Sequence, residues 1–256
     1  MFISVVNHKG GTGKTTTTIN LGSALAALGN SVLLVDFDAQ GSLTYSLGID
    51  DNAPTLANAF HGEITIEQLL QEREGMQILP ADANLADVEL AFAKSDDRFN
   101  HLKNLLSSLP QFDYVLIDCP PSLSLLTLNA LVTSDYVIVP MQMDVLALRG
   151  LDSILETVKK LTTINPALTV LGILPIMVDP RKNIYQEILN HIKSNYAERV
   201  FNQVIHTSVK AAEAPSFGKS VVGYAPHSTT ATDYKEFARE VLKLTKAFHE
   251  QLTTNN

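Results

Sequence analysis

The chain has 256 residues, 45% of them apolar and 18% charged, and a net charge of −8, which suits one large domain with a buried core and excludes a disordered or low-complexity chain. No apolar run approaches the ~20 residues of a membrane span, and Met1–Val6 lacks the basic flank of a signal peptide. The single cysteine, Cys119, excludes an internal disulfide and fits a reducing, cytoplasmic setting. The acidic balance argues against wholesale nucleic-acid binding. Its distribution is uneven, however: residues 1–180 carry 9 basic and 20 acidic side chains, residues 181–256 carry 10 and 7.

The first predicted element is a strand, Phe2–Asn7, a short β-branched run. It leads into Lys9-Gly10-Gly11-Thr12-Gly13-Lys14-Thr15-Thr16, and a helical pattern over Thr15–Leu28 follows. A glycine-rich loop between strand and helix is the setting of a phosphate-binding P-loop. The common pattern G-x-x-x-x-G-K-[ST] is met in a deviant form, because His8 stands at its first glycine position and Lys9 follows. Glycines let the backbone curl so that successive N–H groups point at phosphate oxygens. The helix start adds further donors and partial positive charge. Lys14 can reach the β- and γ-phosphates, the Thr15 hydroxyl can ligate Mg²⁺, and Thr16 stands at the α-phosphate.

Strands are then predicted at Ser31–Asp36, Met76–Leu79, Tyr114–Asp118, Tyr136–Pro140 and Leu168–Val178, with helices at Arg98–Leu109, Leu123–Thr133 and Leu146–Leu161. Most strand runs are apolar without alternation, as in strands buried on both faces of a parallel sheet. Their alternation with helices implies right-handed βαβ units and a doubly wound α/β fold. No linker or repeat divides the chain, so a single domain over residues 1–256 is expected. The last segment, Asp233–Leu252, sets Phe237, Val241, Leu244, Phe248 and Leu252 at helical spacing. Its polar face mixes Lys235, Glu236, Arg239, Glu240, Lys243, Lys246 and Glu250. A closing helix packed on the sheet is expected, not a membrane-surface helix, which needs a basic face. Asp38 and Asp118 fall at strand ends, where an aspartate serves equally as a helix cap or a solvated loop residue.

Lys9–Thr16 resembles the deviant Walker A box, KGGxGKTT, of the ParA/MinD (Soj-type) ATPases. Val35-Asp36-Phe37-Asp38-Ala39-Gln40-Gly41 is similar to that family's DxDPQGN box, and Val115–Ser122 to its Walker B strand. Glu213-Ala214-Pro215-Ser216-Phe217-Gly218-Lys219 is similar to the EAPSFGK segment of chromosomal members. The motifs extend over nearly the whole chain. The resemblance implies an ATPase using ATP and Mg²⁺, with Lys9, Lys14 and Asp38 catalytic. Residues Lys9–Thr16 would hold the nucleotide, Pro226 would line the adenine pocket, and Thr15, Asp118 and Asp38 would serve the metal. Lys9 would reach the partner's nucleotide in an ATP-bridged homodimer. Asp38 would orient and activate the attacking water. The resemblance further implies non-specific DNA binding through Arg181, Lys182, Lys210 and Lys219, a ParB-like activating partner, nucleoid association in the ATP state, and no stable membrane association.

The sequence also departs from that pattern. Ala39 replaces the usual proline and Ser42 the usual asparagine of the second box, which bears on hydrolysis more than on binding. Arg149 stands where many relatives carry Glu, and His206–Lys210 stands where relatives often read RNVRL. An iron–sulfur reductase with the same P-loop would need two cysteines per subunit. A MinD-like membrane regulator would need a basic amphipathic terminus, and a ParA-like ATPase moving a protein cargo would carry the same motor residues.

Overall fold

The structure, a computed structural model, describes residues 1–179 and 184–254, with side chains through residue 248. The chain begins with β1 (Phe2–Val5), α1 (Lys14–Ala27), β2 (Val32–Asp36), α2 (Ser42–Ser46), α3 (Leu56–Phe60), β3 (Gln71–Arg73) and β4 (Met76–Leu79). It continues through α4 (Leu85–Phe92), α5 (His101–Leu106), β5 (Tyr114–Asp118), α6 (Leu125–Thr133), β6 (Tyr136–Gln142), α7 (Val145–Leu161) and β7 (Thr169–Ile176). Then come α8 (Ile184–Asn195), α9 (Val209–Glu213), α10 (Val221–Tyr224) and α11 (Thr229–Thr254).

Seven strands pair in the order β3-β4-β2-β5-β1-β6-β7, all parallel except the short edge strand β3, which turns back on β4. The period of two along each strand divides its side chains between two cores. Leu33 and Val35 of β2, Val115 and Ile117 of β5, and Val137 and Val139 of β6 join Leu131, Leu151 and Ile154 from α6 and α7. Val32, Leu34, Leu116 and Ile138 face the other way, onto Leu21 and Leu25 of α1 and Phe237 and Val241 of α11. The sheet is therefore covered on both sides, as its uninterrupted apolar strands require.

The expected helix Asp233–Leu252 begins earlier, at Thr229, and packs against α1 and the sheet. The last expected strand is shorter than its apolar run, ending at Ile176. The two ends of the chain are also tied locally. Asn20 of α1 accepts a hydrogen bond from the Val221 N–H at 2.7 Å. Glu74, at the β3–β4 turn with φ +51°, accepts from the Ser23 hydroxyl at 3.1 Å and the Ser220 hydroxyl at 2.5 Å. A Cβ at Gly223 would collide with that same carboxylate. Among the described residues no helix is long and apolar enough to cross a membrane.

Candidate nucleotide site

The winding of the fold reverses at β1, which lies between β5 and β6. In open α/β sheets a crevice for ligands opens at such a point, beyond the C-terminal ends of the strands. The loop after β1 is held from both sides. The Asn7 amide donates to the Pro140 carbonyl at 2.6 Å and accepts from the Lys9 N–H at 3.0 Å, and the Thr12 hydroxyl donates to the Lys9 carbonyl at 3.0 Å. Gly11 and Gly13 both lie at positive φ, +72° and +65°, where any L side chain is strained. Helix α1 starts at Gly13 with no side-chain cap and no acidic residue in its first turn. Its first N–H groups and its positive dipole end are thus left for an anion.

Beside those donors sits Lys14, buried to 7% exposure. Burial lowers its pKa, opposed by the nearby Asp118, Cys119 and Asp38. Asp118 ends β5 and accepts from the Thr15 hydroxyl at 2.7 Å. Burial pushes its carboxyl up to about 8, Asp36 pushes further in the same direction, and Thr15 and Lys14 oppose. Asp36 is the Cα partner of Asp118 in the next strand. It is wholly buried, and burial raises it to about 6 despite hydrogen bonds from Thr44. Those bonds, from the Thr44 N–H at 2.8 Å and hydroxyl at 2.7 Å, together with Ala81 N–H donating to the Thr44 hydroxyl at 2.9 Å, pin the loop that carries Asp38. Asp38 itself is 8% exposed and accepts from the Gln40 N–H at 3.0 Å.

The donor set fits a magnesium-bound nucleoside polyphosphate. A hydroxyl and a carboxylate stand side by side, with backbone donors and a buried ammonium next to them. Among the described residues no group of three or more His, Cys, Asp or Glu could hold a metal by itself. Phosphate oxygens and water would supply the remaining ligands of Mg²⁺. Cys119 is buried and its thiol pushed up by that burial, so it is inert.

Lys9, by contrast, is half-exposed and lies 3.5 Å from Asp144, which also caps α7 by accepting from the Ala147 N–H at 2.8 Å. A cavity of about 200 Å³ opens against Gly13 and Thr16, walled by Ile176, Met177, His206 and Tyr234. Met177 holds φ +52°, a conformation uncommon for a non-glycine residue. Pro226 is not among the lining residues; its carbonyl accepts from Lys235 Nζ at 2.8 Å near the start of α11. Of the proposed DNA contacts, Lys210 is paired with Glu213 at 2.8 Å and lies 5.6 Å from the Tyr224 ring centroid, while Lys219 is exposed. Arg181 and Lys182 fall outside the described residues. Sequence reasoning passed over Asp36, Asp144 and the cavity wall. Only Asp36 carried a signal, as the first of two aspartates at a strand end.

Residues 1–170 match a family model described as an AAA domain. The chain is 38% identical over 248 residues to the chromosome partitioning protein ParA of Caulobacter vibrioides, covering 94% of this chain and 93% of that one. It is also 38% identical over 245 residues to the sporulation initiation inhibitor protein Soj of Bacillus subtilis, covering 93% and 97%. A solved structure of cobyrinic acid a,c-diamide synthase from Mycobacterium smegmatis, with a bound ATP analog and magnesium, superimposes with a TM-score of 0.85 at 37% identity, over 96% of this chain and 95% of that one. With this fold, this loop and these relatives, the chain belongs to the ParA/MinD family of P-loop ATPases.

Proposed function

We propose that this ATPase, acting as one unit over residues 1–256, is a partition motor. Two ATP-bound copies close face to face, the dimer binds DNA without sequence preference, and a ParB-like partner stimulates hydrolysis and release. The observation that carries the reading is the contact between Thr15 and Asp118, 2.7 Å, beside buried Lys14 at the mouth of a P-loop. The relatives support the cellular role: a chromosome partitioning ParA is 38% identical over nearly the full length.

In this reading the backbone donors of Gly10–Gly13 and the Lys14 ammonium bind the β- and γ-phosphates, and Thr16 the α-phosphate. Thr15 and Asp118 hold magnesium, with Asp38 nearby. Bound magnesium offsets charge on the transferring phosphoryl group. Asp38, fixed by the Asp36–Thr44–Ala81 bonds, orients the attacking water and takes its proton. Lys9 leaves Asp144 and reaches the partner's nucleotide. An exposed pair of this kind holds it by less than about 1 kcal/mol. The cavity beside Gly13 and Thr16 receives the base. Lys210 and Lys219, with Arg181 and Lys182, offer cations to DNA phosphates.

The test is DNA binding by the Asp38→Ala protein, in which turnover is expected to be lost while ATP binding and dimerisation persist. Binding is measured with ATP, ADP and no nucleotide across a salt series. ATP-dependent binding that weakens steeply with salt supports phosphate-backbone contacts. An ATP-induced dimer that binds DNA in no state overturns the DNA-track reading and leaves a protein or membrane surface as the track.

A further inference from the structure

We infer that His206, held by Asp233, selects adenine over other bases by accepting a hydrogen bond from the exocyclic amine. This rests on the reading that the base enters the cavity beside the P-loop. That cavity, about 200 Å³, has room for a purine base. Its apolar walls, Ile176, Met177, Ala211 and the Tyr234 ring, suit a flat aromatic base but do not tell one purine from another. Selection must come from polar groups.

Most of the polar side chains lining the cavity are hydroxyls, Thr16, Thr207, Ser208 and Thr230 among them. A hydroxyl rotates to donate or accept as the ligand demands, so it discriminates poorly. His206 differs because its ring is fixed. Nδ1 lies 2.9 Å from Asp233 Oδ2, and the same oxygen accepts from the His206 N–H at 3.0 Å. Asp233 is buried to 6% exposure and its other oxygen accepts from Gln203 Nε2 at 3.3 Å, so the carboxylate has no freedom to follow the ring elsewhere. A carboxylate accepts only, which assigns the hydrogen to Nδ1 and leaves Nε2 of the neutral ring as an acceptor. Adenine presents an amine donor at its six-position. Guanine presents an oxygen acceptor there, and unsubstituted purine presents neither. A site built to take a hydrogen bond from one of these rejects the ligands that cannot give it, because its own acceptor is then left unpaired.

The experiment is competition against a fluorescent ADP at about pH 8. The competitors are ADP, GDP and purine riboside diphosphate, tested on the parent protein, His206→Ala and Ala212→Trp. The parent should prefer ADP to purine riboside diphosphate by about tenfold, the worth of one hydrogen bond. In His206→Ala, ADP should weaken by about that factor while purine riboside diphosphate binds as before, so the preference disappears. His206 is partly exposed, so its truncation does not hollow the core. A His206→Ala protein that keeps the parent preference overturns the inference. Ala212→Trp puts an indole into the cavity from an exposed position and should weaken all three ligands. Unchanged binding in that variant would mean that the base lies elsewhere, and the placement of the base would fail instead.

Discussion

The phosphate loop carries two lysines five positions apart, and their surroundings are opposite. Lys14 opens α1 and is buried among Asp118, Cys119 and Asp38, its charge opposed by desolvation. Lys9 stands at the outer end of the loop, half-exposed, against a carboxylate that is itself half in solvent. A buried cation cannot move without breaking what surrounds it, so in the proposed dimer Lys14 would serve the nucleotide of its own subunit. An exposed ion pair is worth little and opens readily. Lys9 is thus free to move outward. A fixed cation and a mobile one within a single loop are what the proposed sharing of a nucleotide between two copies would require.

The largest effect that would sharpen the contrast is at Lys14. Lys14→Ala should lower nucleotide affinity at least about a hundredfold, since it removes a charge-assisted contact to phosphate. Equilibrium binding of a fluorescent ADP reads it, and affinity within threefold of the parent would break the comparison. Lys9→Gln should leave ADP binding within about threefold and change stability by less than about 1 kcal/mol, read as a denaturant midpoint. The same variant should reduce ATP-dependent dimerisation or turnover about tenfold. A normal ATP-induced dimer with normal turnover would remove Lys9 from its role.

A pH dependence is expected from the buried carboxylates beside Lys14. Asp36 and Asp118 have folded-state values raised to about 6 and about 8. A raised carboxyl binds its proton more tightly in the folded state. Its contribution to stability is therefore full below the unfolded value, near 4, and is lost as pH rises through the folded value. The nucleotide-free protein should lose stability steadily as pH rises from about 4 to about 8, measured by urea midpoints. Asp36→Asn should flatten the lower part of that slope, and Mg-ADP should flatten the upper part. A slope of the opposite sign would contradict the burial of these groups.

How much of this was legible follows from what burial does to a sequence. β1, β2, β5 and β6 were visible as uninterrupted apolar runs because both faces are covered. The loop announced itself through glycines at the positive φ angles it needs. Strand β3, Gln71–Arg73, has no apolar pattern because it is a half-exposed edge held by backbone bonds to β4. Helix α8 buries only Ile188, Leu189 and Ile192, too few to stand out beforehand. The cavity wall was invisible for a different reason. Gly13, Ile176, His206 and Tyr234 meet only after the chain has folded, and no spacing joins them.

The clasp at Glu74 has a kinetic consequence. Its carboxylate joins an edge hairpin, the helix that follows the phosphate loop and the segment at Ser220, and it fills the space that only a glycine at 223 leaves open. None of the three can swing away alone without stranding a charged group or a hydroxyl. In the language of hydrogen exchange they form one opening unit. The amides near Met76 and those near Gly223, almost 150 residues apart, should exchange together at one rate, and nucleotide on α1 should slow both by the same factor.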